Sequence, residues 1–268
     1  MSDFFLRQAV VKVGIPGSEG KEFSGLRVAF DVEKNSESFA NPGKITIYNL
    51  NKDSRGFMEQ KGLKVRLLVG YLNSLAQIYL GDIQKVKHEK SGVDWVTHIE
   101  AGDGEQAIQD ATIDKSYQPG VNIKSVIGDL VGSFPGLTSG AQEGVKDETF
   151  GNGLSLTGSS ADRLTEITKK QGLEWSIQDG EVQILPPTDK TKDEAILVSS
   201  ETGLIGSPSK TDGAIPGIEF KCLLIPTLRP GRAVQVESKE INKAFRVRKV
   251  VFTGDNTEGE FICKCEAV

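Results

Sequence analysis

The 268-residue chain is poor in the residues that usually carry chemistry: two histidines, three cysteines, two tryptophans and 7% aromatics in all. The histidines, His88 and His98, fall on neighbouring predicted strands joined by Ser91-Gly92, where they could face each other across a hairpin. A zinc site needs three or four ligands, and no third group is spaced to complete one, so no metal is expected. The cysteines, Cys222, Cys263 and Cys265, are odd in number, and the last two lie on one face of a predicted strand, where they cannot easily bridge each other. A disulfide framework is not expected. Low aromatic content argues against a carbohydrate- or receptor-binding platform. No apolar run approaches the roughly 18 residues of a membrane-spanning helix, and no membrane partner is expected. The first residues, Met1 to Arg7, lack the pattern of a signal peptide, so synthesis and folding in a cytoplasm are expected.

Basic surplus is also missing. The formal charge is -5, from 37 acidic and 32 basic side chains. Residues 1–105 carry 14 of each and residues 188–268 carry 12 of each, so the whole excess lies in residues 106–187, with 11 acidic against 6 basic. Phosphate binding requires a cationic patch. Sequence-specific recognition of nucleic acid is therefore not expected.

What the chain has in quantity is turns: 30 glycines and 10 prolines spread along its length. Between them run period-two stretches that predict strands over residues 9–15, 26–32, 44–50, 63–71, 77–87 and 94–101. In Leu26–Val32 the even positions are apolar or small, while Arg27 and Asp31 occupy odd ones. A short helix is predicted between Ser54 and Lys61. So many strands in about 100 residues suggest a closed or nearly closed barrel. The middle changes period. Asn122 reads as a helix N-cap before a stripe of Ile123, Val126, Ile127, Leu130, Val131 and Phe134, stopped by Pro135-Gly136. A strand over 154–157, a helix capped by Ser159 or Ser160 and ended by Gly172, and a hairpin turning at Asp179-Gly180 follow. Residues 188–194 read as a polar linker. Strands resume over 195–199, 217–226, 233–238, 245–254 and 260–267, with 203–216 read as a long loop.

The expected fold class is mainly β with an α+β insert. Residues 1–105 form a first tube-like β-barrel domain, 106–187 a small α+β domain, and 188–268 a second, smaller barrel-like domain. No short-period repeat is visible, but two neutral β segments flanking an acidic insert suggest a doubled architecture.

Candidate chemistry is thin. Gly158-Ser159-Ser160 departs from the nucleophile-elbow pattern, and Ser159 serves better as a cap. Cys222 lies inside the apolar run Phe220–Ile225, where a thiol packs as a small hydrophobe. Asp103, Glu105, Asp110 and Asp114 are the densest carboxylate cluster. Paired carboxylates of this kind could do glycosidase chemistry, and the plainer reading is a solvated set near a helix start. Gly14–Gly20 lacks the lysine and Ser/Thr of a phosphate loop and reads as a hairpin turn. Trp95 and Trp175 take inward strand positions and read as core. No catalytic, cofactor-binding or metal-ligating residue, and no cofactor, is expected.

Several stretches, in order, resemble the baseplate hub proteins of tailed phages, the family related to the Mu-like tail hub. They are Gly25–Lys34; Gly43–Leu50, a strand ending in Asn-Leu; Val69-Gly70-Tyr71; Ile78–Ile83; Trp95–Gly104; Ser160–Leu164; and Gly172–Trp175 with Asp179-Gly180. The resemblance spans about two-thirds of the chain and fades after Pro187. It implies a homotrimeric ring, with two tube-like barrels per chain, that joins the tail tube protein to the spike protein among other baseplate proteins. DNA would pass through that ring without specific binding, in a virion tail assembled in the host cytoplasm. Neutral barrels suit such a conduit, because a basic lining would hold phosphates. The competing expectations are a hexameric tail tube or tail-completion subunit and, from another class, a tail-borne cell-wall hydrolase using Asp103 or Glu105.

Overall fold

The computed structural model describes residues 6–72, 74–189, 191, 194–212 and 215–268; part of the predicted linker at 188–194 lies outside them. The first segment runs β1 (Arg7–Gly14), β2 (Lys21–Phe23), β3 (Val28–Asn35), β4 (Asn41–Tyr48), α1 (Lys52–Met58), β5 (Lys64–Tyr71), β6 (Ala76–Ser91) and β7 (Asp94–Asp103). The insert follows as α2 (Glu105–Asp110), β8 (Thr112–Tyr117), α3 (Ile123–Gly132), β9 (Thr138–Gln142), β10 (Leu154–Ser159), α4 (Ser160–Lys170), β11 (Glu174–Gln178) and β12 (Glu181–Leu185). The last segment is β13 (Ile196–Val198), β14 (Leu204–Thr211), β15 (Gly217–Leu223), β16 (Ala233–Glu237), β17 (Asn242–Asp255) and β18 (Phe261–Ala267).

The alternation that predicted the strands is the alternation of burial. Val28, Phe30 and Val32 of β3 are buried, as are Val11 and Val13 of β1 and Val65, Leu67 and Val69 of β5. Both helix caps form as read. The Asn122 side chain accepts from the Lys124 amide and the Ser159 side chain from the Asp162 amide, each satisfying an N–H that the first helical turn leaves open. The stripe on α3 is buried at Ile123, Val126, Ile127, Leu130 and Val131. The long loop predicted over 203–216 instead contains β14, which pairs with β15. Its sequence, Leu-Ile-Gly-Ser-Pro-Ser-Lys-Thr, hides the strand because β14 is an edge with no fully buried position, and an edge tolerates proline.

Two hydrophobic clusters form. One draws on both β segments, from Ala9 through Ala101 and from Val198 through Ala267. The other belongs to the insert, where Phe134 and Trp175 meet with ring centroids 5.7 Å apart. The first cluster is shared because the two β segments make one sheet of thirteen strands. Its order is β14-β15-β18-β17-β3-β4-β7-β6-β5-β1-β2, with β16 on β17 and β13 on β16. Pairing does not close into a barrel among the described residues. The join is β17 against β3, antiparallel from Lys249 opposite Asn35 to Asp255 opposite Ala29.

Around this join one four-strand order occurs twice, as β3-β4-β7-β6 and as β14-β15-β18-β17. The likeness extends to register. In β6 a bulge separates Ile83, opposite Ala101, from Lys85, opposite Glu100. In β17 a bulge separates Val247, opposite Ala267, from Lys249, opposite Glu266. Before its bulge β6 pairs with β5, and before its own β17 pairs with β16. A bulge bends a strand and lets it leave one layer for another, so both long strands turn the same corner at the same place.

Phe252 of β17 is fully buried opposite Val32 and Cys263. Phe252→Ala is expected to cost about 3–5 kcal/mol. Because both segments share the core, guanidinium unfolding followed by near- and far-ultraviolet circular dichroism should move as one transition; separate melting of the two β segments would contradict a shared core.

Candidate assembly interface

The insert is fastened to the sheet by a buried polar clasp. The Asp179-Gly180 turn joins β11 to β12 with φ of 58° and 86°, the left-handed pair that a two-residue hairpin requires. This conformation points both turn amides at Asp103 at the end of β7: Asp179 N–H donates to Oδ2 (2.7 Å) and Gly180 N–H to Oδ1 (3.2 Å). Asp103 is 1% exposed, and Lys34, equally buried, pairs with the Asp179 carboxylate. Asn41 donates to the Ile177 carbonyl (2.8 Å) and Gln178 to that of Asn35 (2.7 Å). Tyr79 Oη donates to the Asn41 carbonyl (2.9 Å), its ring lying where a Cβ on Gly43 would come within 2.6 Å. From the other flank, buried Arg246 donates to the Pro187 carbonyl (2.7 Å), and Gln183 of β12 to that of Pro230 (3.2 Å). Burial pushes the Asp103 carboxyl up to about 7. Lys34 and the two amides pull the other way, and the second carboxylate, Asp179, adds to the rise.

The clasp revises the reading of the carboxylate cluster. Asp103 is not solvated; it is enclosed and occupied by the turn, out of reach of a polysaccharide. Glu105 and Asp110 lie on α2, where they accept from Gln109 (3.0 Å) and Gln106 (2.7 Å) of the same helix, and Asp114 lies on β8. The histidines do not face each other either. His98 lies opposite Lys87 and His88 opposite Thr97, which puts them on opposite faces; His88 meets Thr97 Oγ1 at 2.9 Å, and His98 meets Thr46 Oγ1 and Glu89. The three cysteines are free and buried. Cys222 sits opposite Cys263, and burial raises the Cys263 and Cys265 thiols well above their usual range. Among the described residues no group of three or more histidine, cysteine or carboxylate side chains could hold a metal, and no helix is long and apolar enough to cross a membrane.

Trp175 is core, with Nε1 donating to Thr165 Oγ1 (2.8 Å), but Trp95 is not: it is 39% exposed, with the Arg55 guanidinium 4.0 Å from its ring centroid. The β6–β7 hairpin outruns the core, and at its tip Val93 is 91% exposed. Asn49, in the left-handed region at φ 61°, braces this tip by accepting from the Trp95 amide (3.1 Å) and donating to Asp94 (2.9 Å). That is the physical reason for the Asn-Leu ending of the strand at Asn49.

The open face of the doubled sheet is where charge is organised. Lys44, Lys85, Lys87, Lys221, Lys249 and Lys264 share this face with Asp31, Glu33, Glu89, Glu100, Glu219 and Glu266. The two signs interleave: Lys249 lies 2.9 Å from Glu33, Lys85 3.9 Å from Glu100, and Lys87 bonds Glu89. Such a face is polar and locally neutral.

This architecture is shared with tail proteins. The structure superposes on the 43 kDa tail protein of prophage MuSo2 from Shewanella oneidensis with a TM-score of 0.69, at 10% identity over 98% of each chain. A tail protein from Neisseria meningitidis MC58 gives 0.67 at 12% identity, over 97% of this chain and 96% of that one. The Escherichia coli c3393 protein, a type VI secretion component described as similar to the T4 tail proteins gp27 and gp5, gives 0.66 at 10% identity, over 96% of this chain and 76% of that one. No curated protein matches at the sequence level. The class is thus a phage-tail fold. Within it, the family model for Baseplate hub gp41 matches residues 10–267, and the chain belongs to that family. It is a structural component of the tail baseplate.

Two outcomes test the clasp. Lys34→Met leaves Asp103 and Asp179 buried without their cation and is expected to cost about 3–5 kcal/mol in chemical denaturation, part of it recovered by adding Asp179→Asn. The raised Asp103 carboxyl keeps its proton in the fold between about pH 4 and 7, where the unfolded chain has lost it. Its contribution therefore improves stability as pH falls from about 7 towards 4. The stability difference between wild type and Asp103→Asn should slope across that window, and a flat difference would remove the assignment.

Proposed function

We propose that this chain is the ring-forming hub subunit of a phage or phage-like tail, a homotrimer that joins the tail tube to the central spike and lets DNA pass. Each chain contributes two tube-like modules, residues 1–105 and 188–268, with residues 106–187 as a small domain docked against them. The observation that carries this reading is the doubled four-strand order in one continuous sheet: three such chains present six similar modules, which suit a sixfold tube above and a threefold spike below. Similarity to tail and type VI secretion proteins supports it, and tail-tube, spike and other baseplate proteins are the partners it implies. The balanced face of the doubled sheet is the wall of the bore. Alternating lysines and carboxylates keep that wall wet without the net positive charge that would hold a polyanion.

Two measurements test the proposal. Mass photometry of the purified protein, alone and with its tube protein, should give three copies per particle; six would favour a tail-tube or tail-completion subunit. Wild type should elute from heparin at low salt. Removing three carboxylates from the wall (Glu33→Gln, Glu100→Gln and Glu266→Gln together) should delay elution and create duplex binding that weakens steeply with salt. Tight binding of DNA by the wild-type ring at physiological salt would defeat the bore assignment.

A further inference from the structure

A groove of about 580 Å³ lies between the first β segment and the insert. Its floor is the outer face of β2, β1, β5 and β6. Strand register sets Glu22, Lys12, Arg66 and Leu80 side by side in one row, with Lys64 opposite Asp82 in the next. One wall is the Gly14–Gly20 hairpin. Its turn is tight, with the Ser18 amide donating to the Ile15 carbonyl (3.0 Å). Its two limbs approach so closely that a Cβ on Gly14 would lie 2.9 Å from the Cα of Gly20, which is the use of the glycine-rich stretch. The other wall is Gly136-Leu137 of the insert and Gly180 of the clasp turn, where an added Cβ would stand 3.3 Å from Leu80.

Charge pairing inside this groove is incomplete. Lys12 is matched by Glu22 (2.8 Å) and Lys64 by Asp82 (2.6 Å), while the Asp103 carboxylate is turned to the clasp amides. Arg66, exposed in the middle of the row, makes no hydrogen bond, ion pair or ring contact with any described residue. Around it stand Ile15 (40% exposed), Pro16, Leu80 and Leu137. A guanidinium presents a fork that matches a carboxylate. One unmatched cation between apolar walls is too little for a phosphate backbone, which is held by many cations at once. β2 is also the last strand of the sheet, with no strand on its outer side among the described residues, and such an edge accepts an extended chain.

We propose that this groove docks an extended acidic and aliphatic segment of another baseplate protein, with a carboxylate on Arg66 and apolar side chains against Ile15, Leu80 and Leu137. The baseplate reading supplies the source of the partner, and the groove supplies the chemistry. Its volume falls within the roughly 300–1,000 Å³ of ligand sites, which fits a few side chains rather than a folded domain.

Photochemical capture in assembled tails tests the groove. Tails are built with Ile15→p-benzoylphenylalanine and, on the facing wall, with Leu137→p-benzoylphenylalanine. Irradiation should join both to the same stretch of one other tail protein, read by mass spectrometry as a run with Asp or Glu beside Leu, Ile or Val. That stretch, synthesised as a fluorescent peptide, should bind the purified chain in anisotropy titrations. Arg66→Glu should weaken binding roughly tenfold or more, and Arg66→Lys less, because it keeps the charge and loses the fork. Arg66 touches no other described side chain, so both variants should unfold at the wild-type denaturant midpoint. Tails that hold three copies of this chain yet give no adduct would overturn the groove and leave the hub reading standing. Adducts confined to DNA or to another copy of this chain would also overturn it, as would peptide binding indifferent to Arg66→Glu. Six copies per tail with the acidic stretch captured would overturn the hub reading and uphold the groove.

Discussion

The ladder between β17 and β3 is the constraint on which the molecule depends. It ties strands more than 200 residues apart in sequence into one sheet, and it makes the two β segments share a core where Phe252, Val32, Phe30 and Phe261 meet. Closing so long a loop is entropically costly but grows only slowly with length, and burial of a continuous apolar layer offsets it. The insert is a consequence. Once β7 and β13 belong to one sheet, the residues between them must leave and return on the same side, and they do so as a compact unit with its own core.

The clasp decides how that unit sits. Its groups are the kind that folding normally keeps at the surface, and their enclosure costs solvation that only complete pairing can recover. Asp103 meets both amides of the Asp179-Gly180 turn, Lys34 meets Asp179, and Asn41 and Gln178 bridge backbone to backbone. Hydrophobic contact alone would let the insert slide. Directional bonds fix its angle.

The same sheet separates structure from function by face. Inward positions are apolar and serve stability. Outward positions on the open face interleave lysine with carboxylate and leave it locally neutral. An enzyme concentrates its chemistry in a cleft; here the polar side chains are spread along a sheet face, and the buried Asp103 and Asp179 are consumed in holding the turn. The functional reading therefore rests on repeated geometry rather than on any reactive group.

Much of this was legible in the residues. Period-two alternation placed nearly every strand with a buried face, Asn122 and Ser159 marked helix starts, and Asp-Gly marked the tight turn, because each is a local interaction between near neighbours. The family resemblance was carried by the same local features. Strands without a buried face were missed: β14, because an edge strand with Gly, Ser and Pro has no alternation to show, and β8 and β9, because their pairing partners lie far along the chain. Trp95 was misplaced because alternation gives the side of a strand but not how far the core extends along it, and Asp103 because sequence cannot show that a distant turn will close over a carboxylate. The sequence by itself determined the strands and helices that carry a regular buried face and the neutral charge of the two β segments. Only the tertiary structure decided that the segments form one sheet with a repeated strand order, since strand pairing is a contact between residues that nothing in the local pattern connects.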